Sequence, residues 1–170
     1  MNINGFKATV QSIARPTLFD VMISGPAVQT MDMELLQFTC KAASLPASTF
    51  GKIEVPFYGR KVNMPGDRLF QEWQTTVILD ADFTIYKQLM NWHQKMSDAA
   101  GNVSLTANVN AFKCDAIIKS YDTAGNPGIT GQLTGCWPGE IQQLDLAWDQ
   151  NDSTLDLIVS WNFDYWTVIA

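Results

Sequence analysis

The run from Thr154 to Tyr165 constrains the fold more than any other part of the chain. Leu155, Leu157, Val159, Trp161, Phe163 and Tyr165 alternate with Thr154, Asp156, Ile158, Ser160, Asn162 and Asp164. Successive side chains of a strand point to opposite faces, so this period of two predicts a strand with one apolar face. It is longer than the usual strand of about five or six residues. A strand of that length with one apolar face belongs to a barrel or a large sandwich rather than a small meander.

The same alternation recurs upstream. Phe19, Val21 and Ile23 share a face in Leu18–Ser24, as do Leu36, Phe38, Cys40 and Ala42 in Glu34–Ala42. In Leu69–Leu79, Leu69, Trp73, Val77 and Leu79 oppose Glu72, Gln74 and Thr76. In Phe112–Ser120, Phe112, Cys114, Ala116 and Ile118 oppose Lys113, Asp115 and Lys119. One helix interrupts the strands. Asp80 or Asp82 can cap it, and Ile85, Leu89, Trp92 and Met96 follow on one face,. Phe83, Tyr86 and Met90 widen that stripe, and Asp98–Gly101 ends it. Loops are expected at Gly25–Asp32, Ala43–Phe50, Tyr121–Gly128 and Asp149–Ser153, and Trp137-Pro138-Gly139 is expected to stop a strand around Ile129–Gly135,. The expected class is mainly β, sandwich or barrel-like, with one principal α-helix packed on the sheet. No composition shift or repeat marks a boundary, so residues 1–170 are expected to form a single domain.

Val55–Trp73 (VPFYGRKVNMPGDRLFQEW) is punctuated by Pro56, Gly59, Pro65 and Gly66. Proline lacks a donor and glycine opens unusual conformations, so no continuous element is expected there. The expected arrangement is a loop, a short strand at Arg60–Met64 and a turn at Pro65-Gly66-Asp67. It carries a cationic cluster of Arg60, Lys61 and Arg68.

Charged residues make up 16% of the chain, below the roughly 25% of an ordinary soluble domain. That shortage favours a subunit whose faces are covered by partners. The net charge of −6 makes the chain a poor candidate for tight nucleic-acid binding, which needs clustered Lys and Arg, but suits a surface that DNA slides past. Cys40, Cys114 and Cys136 have no CxxC spacing, which supports neither a disulfide framework nor a zinc site,. No signal-type or membrane-length apolar run occurs, so synthesis and solubility in the cytoplasm, without a membrane anchor, are expected,.

Catalytic chemistry has no support. The sole histidine, His93, lies mid-helix without a recognisable partner, and GxSxG, HExxH, Walker-type and GxGxxG patterns are missing,. Asp149-Gln-Asn-Asp152 lacks the spacing and closing Glu of a calcium loop and is explained by turn-forming Asx residues,. Trp73, Trp92 and Trp161 fall at apolar phases, which favours core packing over a glycan platform,. The chain is expected to be no enzyme and to hold no cofactor or metal. A glycan-binding β-sandwich is the alternative from a different class.

Five blocks carry a family resemblance: ARPTLFDVMIS (Ala14–Ser24), FTCKAASLPAS (Phe38–Ser48), VPFYGRKVNMPGDRLFQEWQTTV (Val55–Val77), GCWPGEIQQLDLAWD (Gly135–Asp149) and FDYW (Phe163–Trp166). In this order they resemble the tail tube proteins of T-even-type contractile bacteriophages, a family related to the Hcp-type inner tubes of type VI secretion and injection systems. The resemblance implies a tail-tube fold and a structural role in the virion, assembled in the host cytoplasm. It implies hexameric rings stacked into a hollow tube inside a contractile sheath, conducting DNA into the host. The implied partners are further copies of the chain, the sheath protein, the tape-measure protein and DNA in the lumen, and baseplate and terminator proteins at the ends. A tube-initiating baseplate component or an injection-particle inner tube is the alternative within the family.

The resemblance also assigns expected sites. The loop Ser44–Tyr58 reaches neighbouring subunits through Phe50, Lys52, Ile53 and Glu54. Arg60, Lys61 and Arg68 pair with acidic groups at subunit interfaces. The polar face of the last strand, Asp156, Ser160, Asn162 and Asp164, faces the lumen.

Overall fold

A computed structural model of the chain describes residues 2–3, 14–29, 31–101, 108–149 and 153–169. The strands are β1 (Phe19–Ser24), β2 (Cys40–Ala43), β3 (Ser48–Phe57), β4 (Arg60–Phe70), β5 (Trp73–Ile78), β6 (Cys114–Tyr121), β7 (Pro127–Ile141), β8 (Asp156–Asn162) and β9 (Tyr165–Val168). The helices are α1 (Met33–Thr39) and α2 (Thr84–Met96). The main sheet runs β1-β6-β7-β8-β5-β2, β9 also pairs with β7, and β3 and β4 form a separate two-stranded ribbon.

The 15-residue β7 holds the main sheet together. Along one edge it pairs with β6, from Tyr121↔Pro127 to Cys114↔Cys136. Along the other it pairs first with β9 over Gly131–Thr134 and then with β8 over Trp137–Ile141. Trp137-Pro138-Gly139 therefore does not stop the strand. The register shifts between Pro138 and Glu140, and such an irregularity tolerates a residue without a backbone donor. Gly135, at φ +70°, lies against the Asp164 carboxyl, and Gly139 lies against the Asn162 side chain. A Cβ at either position would collide with those groups.

The long C-terminal strand expected from the alternation is correspondingly two strands. β8 and β9 follow one another along the same edge of β7 and break at Phe163-Asp164, where Asp164 N–H donates to the Thr134 carbonyl at 3.0 Å. Within β8 the expected apolar face is buried: Leu157, Val159 and Trp161. The same holds for Val21 and Ile23 in β1, Trp73 and Val77 in β5, and Cys114, Ala116 and Ile118 in β6.

α2 covers this face with Ile85, Leu89 and Trp92 buried and Met96 packed alongside. Met90 is exposed, so the buried stripe is narrower than its hydrophobic spacing implied. The Trp161 ring lies 5.9 Å from each of the Trp73 and Trp92 rings. Two of the three indole N–H groups are satisfied, Trp161 Nε1 donating to Thr75 Oγ1 at 2.9 Å and Trp92 Nε1 to the Phe112 carbonyl at 3.0 Å, while Trp73 Nε1 is buried without a partner among the described residues. Asp80 rather than Asp82 stabilises the start of α2, its carboxylate accepting from both Thr84 N–H (2.8 Å) and the Thr84 hydroxyl (2.6 Å). These bonds, the hydroxyl first, hold the Asp80 carboxyl below its ordinary pKa. The helix stops at Ser97, just before the expected Asp98–Gly101.

Three further sequence expectations need correction. Glu34–Ala42 is not one strand but α1 followed by β2. Leu36 and Cys40 are four residues apart as well as in alternating phase, so they fit a helical turn equally, and Asp32 caps that turn by accepting Leu35 N–H at 3.0 Å,. Phe38, expected on the apolar face, is 78% exposed. Leu69–Leu79 divides between β4 and β5, with Leu69 exposed on the ribbon and Trp73 buried in the main sheet. The turn at Tyr121–Gly128 forms as expected, with Asp122 Oδ1 accepting from Ala124 and Asn126 N–H groups. Asp152 lies outside the described residues.

Replacing Trp161 by Ala removes the ring common to β5, β8 and α2. The expected loss is about 3–5 kcal/mol in a urea titration, and Trp161→Phe should lose visibly less. Cys114 and Cys136 are paired across β6 and β7 yet remain free thiols. Burial raises the Cys136 pKa to about 12 and the Cys40 pKa to about 11. Native Cys114 and Cys136 should therefore resist maleimide near pH 8 and label on unfolding. Because neutral thiols are favoured in the fold, stability should fall as pH climbs from about 9 toward those raised values.

Candidate assembly interface

β3 and β4 pair antiparallel from Ser48↔Phe70 to Phe57↔Arg60. The two-residue turn is Tyr58-Gly59, both at positive φ (44° and 78°), which matches the twist of a tight hairpin. The expected loop Ser44–Tyr58 is thus mostly strand. The expected turn at Pro65-Gly66-Asp67 is a bulge inside β4, where Phe50 pairs with Arg68 but Lys52 pairs with Pro65. Gly66 and Asp67 together oppose the single residue Gly51. A Cβ on Gly66 would come within 3.1 Å of the Gly51 carbonyl carbon and oxygen. Glycine at both positions lets the backbones approach, which is why these breakers sit inside a strand.

Alternation gives the hairpin two unlike faces. Ile53, Val55 and Phe57 lie on one, opposite Met64, Val62 and Arg60. Lys52, Glu54 and Pro56 lie on the other, opposite Pro65, Asn63 and Lys61. Glu54 pairs with Lys52 and Lys61, each at 2.6 Å, and these contacts hold its carboxyl below the ordinary range. The apolar face is uncovered, with Phe57 61% and Tyr58 93% exposed. A two-stranded ribbon is marginal by itself, so an exposed apolar row of this kind calls for a covering surface.

The expected cationic cluster is divided. Arg60 and Lys61 stand at the hairpin tip, whereas Arg68 stands at its base, over the Phe50 (5.7 Å) and Phe70 (4.9 Å) rings. Phe70 in turn lies 5.8 Å from the Phe163 ring of the main body. Phe50, Lys52, Ile53 and Glu54 are all exposed and fall on β3.

The four residues expected to face a lumen do not form one surface. Ser160 is only 2% exposed; it is a small side chain on a strand flanked by β5 and β7 and cannot line a channel. Asp156 pairs with Lys41 at 2.6 Å, the contact that chiefly lowers its pKa. Asn162 is half-buried, and Asp164 lies beyond the strand break, paired with Lys113 at 2.7 Å. A segment to which no contact was assigned from the sequence also reaches the surface. Leu146 is exposed and Trp148 fully exposed in the connection after β7. Their signal was apolar residues interleaved with Asp145 and Asp149 outside any strand.

Among the described residues no group of His, Cys, Asp and Glu could hold a metal ion, and no helix is long and apolar enough to cross a membrane. His93 Nε2 lies 2.9 Å from the Pro138 carbonyl, tying α2 to β7.

The model of the phage tail tube protein family matches residues 14–169. The chain is 33% identical to tail tube protein gp19 of Enterobacteria phage T4 over 155 residues, covering 90% of each. It is 30% identical to the tail tube protein of Serratia phage KSP90 over 159 residues, covering 89% of this chain and 88% of that one. Solved structures share the fold at low identity. A sheath/tube terminator of the extracellular contractile injection system PVC has a TM-score of 0.69 at 15% identity, covering 95% of this chain and 99% of that one. The anti-feeding prophage baseplate gives 0.68 at 10% identity, covering 93% and 96%. The match runs through the core strands, α2 and the β3–β4 hairpin alike, and the chain belongs to the phage tail tube protein family.

Proposed function

We propose that this chain is the repeating subunit of the inner tube of a contractile phage tail. Copies close into hexameric rings, and the rings stack into a hollow tube. The observation that carries the reading is the β3–β4 hairpin, a long two-faced ribbon with an uncovered apolar row in a protein of the tail tube family. The main sheet adds support because, among the described residues, it ends in unlike edge strands, β1, β2 and β9. Unlike edges suit heterologous contacts that close by rotation, and such contacts hide strand edges that would otherwise aggregate. The role is structural and not enzymatic.

The partners follow from that position: a sheath outside, baseplate and terminator proteins at the ends, and tape-measure protein and then DNA within. The protein works in the virion tail and assembles in the host cytoplasm. Asp156, Asn162 and Asp164, on separate patches, are proposed toward the lumen, where the chain's net charge of −6 would keep DNA phosphates from adhering,. Phe50, Lys52, Ile53, Glu54, Arg60, Lys61 and Arg68 are proposed as inter-subunit contacts. The relatives at 30% identity or more are named tail tube proteins, which favours this role over a tube initiator or an injection-particle tube.

Purified protein at rising concentration should form hollow rods or rings by negative-stain microscopy, and persistent monomers would defeat the proposal. Ile53→Asp combined with Phe57→Asp should abolish rods while leaving the circular dichroism spectrum and Tm of the monomer nearly unchanged. A large drop in Tm would instead place these side chains in the folding of the subunit.

A further inference from the structure

The hairpin and the connection after β7 leave the main sheet at opposite ends. β5 and β8 run side by side from Trp73↔Trp161 to Ile78↔Asp156. The hairpin springs from the Trp73 end, where β4 stops at Phe70 and Ser44 N–H bonds the Gln74 carbonyl. The connection after β7 lies at the Asp156 end, between Ile141 and β8. Five residues of strand place these ends about 17 Å apart, and the arms of the hairpin are about 30 Å long.

Their chemistries are opposite. Residues 48–70 carry four cationic side chains against two anionic ones in a chain whose overall charge is −6. Residues 141–149 carry Asp145 and Asp149 and no Lys or Arg. Both present exposed aromatic surface, Tyr58 at the tip and Trp148 on the connection. Arg60, beside Tyr58, has no ion-pair partner among the described residues, and a guanidinium binds well on an indole face with carboxylates around it.

We propose that the hairpin tip of one copy (Tyr58, Arg60, Lys61) docks on the acidic, tryptophan-bearing connection of the next copy (Asp145, Trp148, Asp149). The contact is head-to-tail, because donor and acceptor lie at opposite ends of one sheet. It repeats without a two-fold axis and sets the direction of stacking. The inference rests on the tube reading and adds the acceptor surface to it.

Charge exchange tests it. Arg60→Glu with Lys61→Glu should raise the concentration needed for rods by about tenfold or more, as should Asp145→Lys with Asp149→Lys. All four substitutions together should bring it back to within about threefold of the original chain. In a parallel experiment, Val62→Cys with Ala147→Cys and a short bis-maleimide should link successive copies into a ladder in assembled rods, while each single variant should not. Cys114 and Cys136 are buried, and the half-buried Cys40 is replaced by Ser in every variant so that native thiols contribute no background. Rods that form normally in both reversed variants, or a fourfold variant no better than either half, would overturn the docking and leave the tube reading intact. An original chain that forms no rods would overturn both.

Discussion

Everything in the main body depends on β7 serving two sets of partners from one edge. β8 and β9 can follow one another along it only because Gly135 and Gly139 leave room for Asp164 and Asn162. A side chain at Gly135 would also need φ +70°, a conformation that most residues resist,. Once that seam is closed, Trp161 is fixed between Trp73 and Trp92, and α2 has a surface to cover. The His93–Pro138 contact then ties the helix to the same strand whose irregular stretch made the seam possible. The irregular part of the sheet and the most buried part of the core are thus consequences of a single backbone approach.

Side chains that alternate on buried faces were legible in the sequence, because burial enforces period two. Leu157, Val159 and Trp161 illustrate it, as do Cys114, Ala116 and Ile118. The reading failed where a pattern fits two periods or spans a break. Leu36 and Cys40 satisfy both the strand and helix spacings, and the deciding group was Asp32, outside the apolar pattern. Leu69 and Trp73 keep phase across the two residues that separate the ribbon from the sheet, so alternation alone could not divide them. Ser160 shows a different limit: a polar residue on the alternate face need not meet solvent when its strand has neighbours on both sides.

The candidate interface was legible by location but not by form. Prolines and glycines in Val55–Trp73 read as loop punctuation, since that is their commonest use. In the fold Gly59 makes the hairpin turn, while Gly51 and Gly66 admit a bulge. The cationic residues were seen as one cluster because they are near in sequence. A hairpin carries residues eight apart along one strand to opposite ends, so Arg60 and Arg68 have different surroundings.

On the proposed docking, the hairpin would also link folding to assembly. Its charged face is held by the exposed Glu54 pairs, which contribute little in water. Its base is held by Arg68 over two rings and by Phe70 against Phe163. Among the described residues, no other part of the subunit covers the row of Ile53, Val55 and Phe57. Order in the outer half of the ribbon therefore has to come chiefly from the surface it meets, and binding that surface stabilises the hairpin by mass action. A ribbon only weakly held in the free subunit, and firmly held once seated, would let monomers remain soluble and would make addition to a growing end the step at which the last strands become fixed.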